Sequence, residues 1–233
     1  MTNPGAVLVT GGASGLGAAV VDAVRAAGGS PYVLDLKPPP DARVPYVAVD
    51  LSDTRAAERA TRTLADQAAE RDGGLRGLVT AAGMDTPAPL SALSGEEWEH
   101  VVAVNLLGTA AVVRAALPAL RANAGGIVTV ASTLGIKAVS DATAYCAAKF
   151  GVVGFTRALA AELAGSIGVT LLIPGGMKTK FFDDRDAQYK PGPDAILNDP
   201  ANVANAVMFA LSQPAGCAVR ELVVCSPYES SYP

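Results

Sequence analysis

The 233-residue chain has one histidine, three cysteines and few aromatic side chains, 5% of the total. Each scarcity removes a class of chemistry. A Ser-His-Asp or Cys-His mechanism would have to use His100, and His100 follows a helix start at Ser94-Gly95-Glu96-Glu97, with Leu93 and Trp98 spaced as a hydrophobic staple. A helix-surface position is the expectation for it. Cys146, Cys217 and Cys225 are odd in number and lack metal-ligand spacing, which predicts reduced core thiols and no bound transition metal. Charged residues are only 17% of the chain, and the net charge of −4 gives no footprint for nucleic acid or an anionic membrane surface. Long uninterrupted apolar runs are missing too. The most apolar stretch, Val101 to Leu120, is broken by Asn105 and Arg114 and reads as a buried helix or a subunit contact, not a membrane span. Met1 to Gly5 carries neither the basic segment nor the apolar core of a secretory signal, so a cytoplasmic location is expected.

What remains is half apolar, with 24 glycines and 16 prolines, and fits one α/β domain over residues 1–233. Short apolar runs alternate with longer helix-like segments, the pattern of βαβ units feeding a doubly wound parallel sheet of about seven strands with helices on both faces. Strands are predicted at Ala6 to Thr10, Pro31 to Asp35, Val44 to Val49, Gly77 to Ala81, Gly126 to Ala131, Val169 to Ile173 and Glu221 to Val224. Helices are predicted at Gly15 to Ala27, Asp53 to Glu70, Glu96 to Leu120 with a break, Ala142 to Leu163, and Pro200 to Ser212 behind an Asp199 N-cap. Pro174 to Asp199 is a long connection rich in Gly, Pro and charge directly after a strand. Loops of that length often act as lids, which makes 174–199 the candidate substrate loop. Phe181 and Phe182 beside Asp183, Asp184 and Arg185 suit either a lid over an apolar body or a surface loop with two core anchors.

Thr10-Gly11-Gly12-Ala13-Ser14-Gly15-Leu16-Gly17 falls between the first strand and the first helix. Glycines there let backbone N–H groups approach a pyrophosphate, which the helix N-terminus stabilises. Asp35 ends the second strand, about 20 residues on, where a carboxylate can accept from adenosine ribose hydroxyls and would repel a 2′-phosphate. NAD is therefore favoured over NADP, although Lys37 could offset part of that repulsion and Asp35 could be a strand-end turn residue. Tyr145 and Lys149 share a helix face by their four-residue spacing, and Ser132 stands thirteen residues before Tyr145. A lysine ammonium near a phenol favours its ionised form and lowers a pKa normally about 10. Alone, that spacing occurs by chance in many helices.

Together the Thr10 to Gly17 loop, Asn105, Ser132 and the Tyr145-x-x-x-Lys149 pair resemble the short-chain dehydrogenase/reductase family, over nearly the whole chain from Val7 to about Val224. The resemblance implies a Rossmann-type fold, hydride exchange with nicotinamide, and a small alcohol or ketone as substrate. It implies Tyr145 as general acid/base, Lys149 on the nicotinamide ribose, Ser132 on the reacting oxygen, and Asn105 holding a relay water. The implied cofactor contacts are Gly11, Ser14, Gly15, Leu16, Gly17, Asp35, Leu36, Asp50 and Leu51, then Ala81, Ala82 and Gly83. Tyr145, Lys149, Pro174, Gly175, Met177 and Thr179 complete the set. Asp50 could equally cap the helix predicted from Asp53. Met84, Leu134 and Met177 hint at an apolar pocket lining. Thr80 and Ala81 replace asparagines common in the family, which predicts weaker local bracing. The C-terminal segment Val224 to Pro233 also departs, so the dimer or tetramer that the family implies rests on the apolar helices 101–120 and 147–163. The competing reading is a non-catalytic NAD(P)-binding sensor or scaffold on the same fold. A nucleotide-sugar epimerase would prefer a different glycine spacing, with glycine where Ser14 stands, and a longer chain.

Overall fold

The computed structural model describes residues 3–214 and 216–232. Its centre is one sheet of seven parallel strands: β1 Ala6–Thr10, β2 Ser30–Asp35, β3 Tyr46–Ala48, β4 Leu75–Thr80, β5 Gly126–Val130, β6 Gly168–Pro174 and β7 Glu221–Val224. The strand order β3-β2-β1-β4-β5-β6-β7 reverses direction between β1 and β4. Open α/β sheets bind ligands at the carboxyl ends of the strands flanking such a reversal.

The strands are apolar because both faces are covered. Ala6 and Leu8 of β1 face a core built with helices α2 Thr54–Asp72, α4 Thr109–Ala122 and α5 Thr143–Glu162. Val7 and Val9 face the opposite core, built with α1 Gly15–Ala26 and α6 Pro200–Leu211. This two-residue alternation recurs in β4, where Leu78 joins the first core and Val79 the second.

Helix starts follow their caps. Asp53 accepts from Arg55 and Ala56 N–H groups at the head of α2, and Asp199 from Ala201 N–H at the head of α6, which has proline at its first position. Helix α3, Gly95–Val102, opens on the expected capping box: Ser94 Oγ accepts from Glu97 N–H and the Glu97 carboxylate from Ser94 N–H. Leu93 and Trp98 pack in one cluster with Tyr145.

The predicted break in the long central helix is a π-helical segment, Ala103–Gly108. Its cause is local. Asn105 Nδ2 donates to the Val101 carbonyl one turn back, competing with the backbone ladder there. The continuous helical run Gly95–Ala122 is long and apolar enough to cross a membrane by composition, but half of that window is buried inside the fold, where Val112, Ala116 and Leu120 pack on α2. Strand β3 is shorter than predicted, because Val44 N–H turns back to Asp41 O instead of joining the ladder.

Candidate functional site

At the carboxyl end of the sheet lies a cavity of about 1220 Å³, larger than the ~300–1,000 Å³ of ordinary small-molecule pockets. The glycine-rich loop forms one wall. A Cβ on Gly17 would meet Gly11 O at 2.1 Å, so only glycine lets the first turn of α1 pack back on the loop. Ser14, at the N-cap of α1, makes no side-chain cap bond among the described residues. The leading N–H groups of a helix have no partner within it, and here they end at the cavity wall formed by Ser14, Gly15 and Leu16. The Asp35 carboxylate accepts from Ala13 N–H at 2.9 Å and from Lys37 N–H at 3.0 Å, tying the loop to the end of β2.

Strand β5 delivers Ser132, whose hydroxyl accepts from Leu134 N–H at 3.1 Å and caps a 3-10 turn, Thr133–Gly135. Helix α5 presents Tyr145 and Lys149 on one face, 8% and 4% exposed. Lys149 Nζ donates to Val130 O at 3.0 Å and lies 5.6 Å from the centroid of the Tyr145 ring. Burial pushes the Lys149 ammonium down to about 8. Burial also raises the Tyr145 phenol above its ordinary value, and a hydrogen bond with Ser132 only partly opposes it. The lowered phenol expected from the four-residue spacing is therefore reversed in this geometry: desolvation, with Asp85 nearby, outweighs Ser132 and Arg185.

Asn105 is fully buried and donates from Nδ2 to Met84 O and Val101 O, both at 2.8 Å. Its Oδ1 is enclosed and has no partner among the described residues. A Cβ on Gly83 would stand 2.9 Å from that oxygen and 3.6 Å from Lys149 Nζ. Gly83 thus keeps open the gap between an orphan acceptor and an ammonium, a place suited to a water.

Of the catalytic and cofactor-contact residues that the resemblance implies, all line this cavity except Gly17 and Asn105, which lie behind its wall. Asp50 accepts from Ser52 N–H at 2.8 Å, a bond that holds its carboxyl below the usual range. The helix cap is Asp53, so the capping alternative for Asp50 falls. Thr179 Oγ1 accepts from Phe181 N–H at 3.3 Å. Met84, Leu134 and Met177 line the cavity as expected. Thr80 Oγ1 is buried without a partner among the described residues, and Thr10 Oγ1 instead braces this segment by accepting from Ala82 N–H at 3.1 Å.

A model of the family described as short chain dehydrogenase matches residues 5–190. The chain belongs to that family. L-fucose dehydrogenase of Mus musculus is 32% identical over 97% of this chain and 89% of its own length. D-threitol dehydrogenase of Mycolicibacterium smegmatis is 34% identical over 89% of this chain and 86% of its own length. The crystal structure of levodione reductase superposes with a TM-score of 0.83 at 26% identity, covering 100% of both chains. As a short-chain dehydrogenase the chain is an oxidoreductase that uses NAD(P). Its glycine loop, the uncapped start of α1 and the cavity volume suit a dinucleotide. Among the described residues no cluster of three metal-ligating side chains forms.

The 174–199 loop was expected at the cavity, but the long-range contacts that hold two parts of the cavity wall were not legible in the sequence. The 174–199 segment is pinned at its ends, with Met177 and Asn198 forming a bridge, and it covers the cavity with Phe181, Phe182 and Arg185. Arg185 Nη2 reaches Asp85 Oδ2 at 2.9 Å, with side chains 13% and 3% exposed. The C-terminal tail closes another side: Glu229 Oε2 accepts from Gly176 N–H at 2.7 Å, and Ser231 Oγ bonds Thr133 Oγ1 at 2.6 Å. Partners a hundred residues apart leave no spacing signal.

Proposed function

We propose that the chain is an NAD(H)-dependent oxidoreductase interconverting a secondary alcohol and a ketone. One observation carries the reading: a single cavity is lined by Asp35 and the phosphate-binding loop as well as by Ser132, Tyr145 and Lys149. In reduction the carbonyl carbon takes a hydride, which the bound dinucleotide supplies, and the carbonyl oxygen takes the Tyr145 proton. Ser132 donates a hydrogen bond to that oxygen as negative charge develops. Lys149 holds the nicotinamide ribose and returns a proton to Tyr145 through a water on Asn105 Oδ1. Oxidation runs the same steps backwards.

The cofactor contacts are Gly11, Ser14, Gly15 and Leu16 at the pyrophosphate, with Gly17 behind them letting the loop pack on α1, and Asp35 and Leu36 at the adenosine ribose. Asp50 and Leu51 contact the adenine, the Ala81, Ala82, Gly83 turn flanks the cofactor, and Pro174, Gly175, Met177 and Thr179 contact the nicotinamide. Both Asp35 oxygens already accept from backbone N–H groups, which fixes the carboxylate where a ribose diol can bind and a 2′-phosphate meets its charge. NAD is thus the favoured cofactor. Segment 174–199 is the substrate loop. The relatives named for fucose and threitol support an alcohol substrate. Leu107 and Phe150, half exposed on the π-helical segment and α5, support a homo-oligomer, and three free cysteines support a cytoplasmic setting.

The test is a panel of alcohols and ketones followed by NADH absorbance, with Tyr145→Phe beside the wild type. Turnover falls by ~10²–10⁴ in the variant, the share of a general acid/base, while NADH binding changes little. Undiminished turnover in the variant, or no turnover of any panel member by the wild type, refutes the reading.

A further inference from the structure

Arg185 is an expensive residue where it stands. Its side chain is 13% exposed, Asp85 behind it is 3% exposed, and the two share one hydrogen bond, Nη2 to Oδ2 at 2.9 Å. An ion pair removed from water rarely repays its desolvation in stability; apolar residues of similar volume do as well or better. The pair is also left short of full satisfaction. Asp85 Oδ1 and Arg185 Nε are both enclosed and have no partner among the described residues. A stabilising pair would close both bonds, as Arg157 and Glu221 do on the surface with two contacts of 2.7 and 3.1 Å.

The position explains what the energetics do not. Arg185 lines the cavity, and Asp85 does not. The guanidinium carbon lies 4.7 Å from the Phe181 ring centroid and 4.8 Å from that of Phe182, and Phe181 in turn lies 5.8 Å from the Tyr145 ring. A planar group whose Nε–H has no partner among the described residues is therefore held between two aromatic rings and an aspartate, one ring away from the Tyr145 phenol. Both charges register at Tyr145, Asp85 raising its phenol and Arg185 lowering it.

We propose that Arg185, positioned by Asp85, is the specificity-determining residue of this site and selects a neutral polyhydroxylated substrate, a polyol or sugar. The proposal rests on the reading of Tyr145 as the reacting end of the cavity. Asp85 neutralises Arg185 in place, so a substrate carboxylate would bring a second anion close to Asp85 in a poorly solvated pocket. A hydroxyl carries no charge, and it accepts from the guanidinium through its oxygen. A simple monoalcohol can fill the apolar space beside Phe181, Met84 and Leu134 but offers no hydroxyl to the side of Arg185 that Asp85 does not bond. Sites built to bond a substrate hydroxyl discriminate strongly against analogues that lack it.

The experiment compares wild type, Arg185→Leu and Asp85→Asn on four-carbon substrates of matched length, threitol, 2-butanol and 2-hydroxybutyrate, with xylitol and glucose as further polyhydroxylated probes. The wild type favours a polyhydroxylated probe over 2-butanol in kcat/KM. In Arg185→Leu that ratio falls by ~10², mostly through KM, on the scale of lost polar recognition. In Asp85→Asn the unneutralised Arg185 gives 2-hydroxybutyrate at least a tenfold gain relative to threitol, a change that a misfolded variant cannot produce. An unchanged ratio in Arg185→Leu, or a wild type preferring 2-butanol or 2-hydroxybutyrate, overturns the proposal. Calorimetric titration of the polyols into protein with NADH separates the two readings. Polyol binding that depends on Arg185 without turnover sinks the redox reading alone, and binding indifferent to Arg185 sinks the specificity proposal alone.

Discussion

Lys149 donates its ammonium to the carbonyl oxygen of Val130, 3.0 Å away, at the end of the strand that delivers Ser132. The bond anchors a cation that burial pushes down to about 8 from an ordinary value of 10.5. Between those two values the unfolded chain binds more protons than the folded one, so this group makes stability rise with pH there; below pH 8 its full cost is present. Replacing it with methionine removes the titration. The stability of Lys149→Met relative to wild type is therefore greatest below pH 8 and declines by ~3 kcal/mol as pH climbs toward 10.5, at 1.36 kcal/mol per pKa unit. Denaturant unfolding of both proteins at pH 7.5 and pH 10 measures it. A difference that stays flat across that range shows a lysine titrating as if in water.

Asn105 makes a prediction about charge at constant shape. Its Nδ2 serves the carbonyls of Met84 and Val101 at 2.8 Å each, so the side chain must donate on that side. Asn105→Ala loses both bonds and destabilises by ~1–3 kcal/mol, the cost of stranding buried acceptors. Asn105→Asp keeps the shape but points a carboxylate oxygen at two carbonyl oxygens, and it unfolds at lower denaturant than Asn105→Ala. An aspartate variant more stable than the alanine variant contradicts the donor role. Both variants lose turnover.

The strands were readable because a parallel strand covered on both faces must be apolar throughout, and Ala6–Thr10 and Gly126–Val130 leave little else to be. The glycine loop and the Tyr145/Lys149 face were readable because their partners are near in sequence. Burial was not: a four-residue spacing puts two side chains on one face without saying how much water that face sees, and it is desolvation that sets the direction of the Tyr145 shift. A break within 96–120 was expected, but neither its place at Ala103–Gly108 nor its π-helical form was, since both depend on the Asn105 side-chain bond to Val101 O. Asp85 and Arg185 meet only because the loop after β6 folds over the loop after β4, a consequence of strand order that neither segment states alone.

Asp35 decides cofactor choice if its charge faces the ribose. Asp35→Ser removes one charge-assisted acceptor, worth ~1.5–3 kcal/mol, and so weakens NADH binding about tenfold or more. NADPH loses only repulsion and binds more tightly than to wild type. Fluorescence titration of both cofactors reads the crossover. Wild type binding NADPH more tightly than NADH contradicts this assignment.

The C-terminal tail yields the last prediction. Glu229 ties Gly176, in the nicotinamide segment, to Ser231, which in turn bonds Thr133 beside Ser132; Lys137 Nζ adds a bond to Ser230 O at 2.9 Å. The tail therefore forms a wall of the cavity held at both ends of the reacting region, and its removal opens that region to water. Ending the chain at Pro227 raises substrate KM by about tenfold, equivalent to ~1.4 kcal/mol of lost binding, and changes NADH affinity much less. Glu229→Ala reproduces most of this effect. Burial works to raise the Glu229 carboxyl, but the bonds from Ser231 and Gly176 outweigh it and leave the group below its ordinary 4.5. An acid with a depressed value keeps its stabilising charge above the ordinary range and loses it only as pH falls through the lowered one. The KM difference between wild type and Glu229→Ala therefore holds constant from pH 6 to pH 8. A difference that disappears on going from pH 8 to pH 6 identifies a carboxyl with a raised value and a tail that lets go in mild acid.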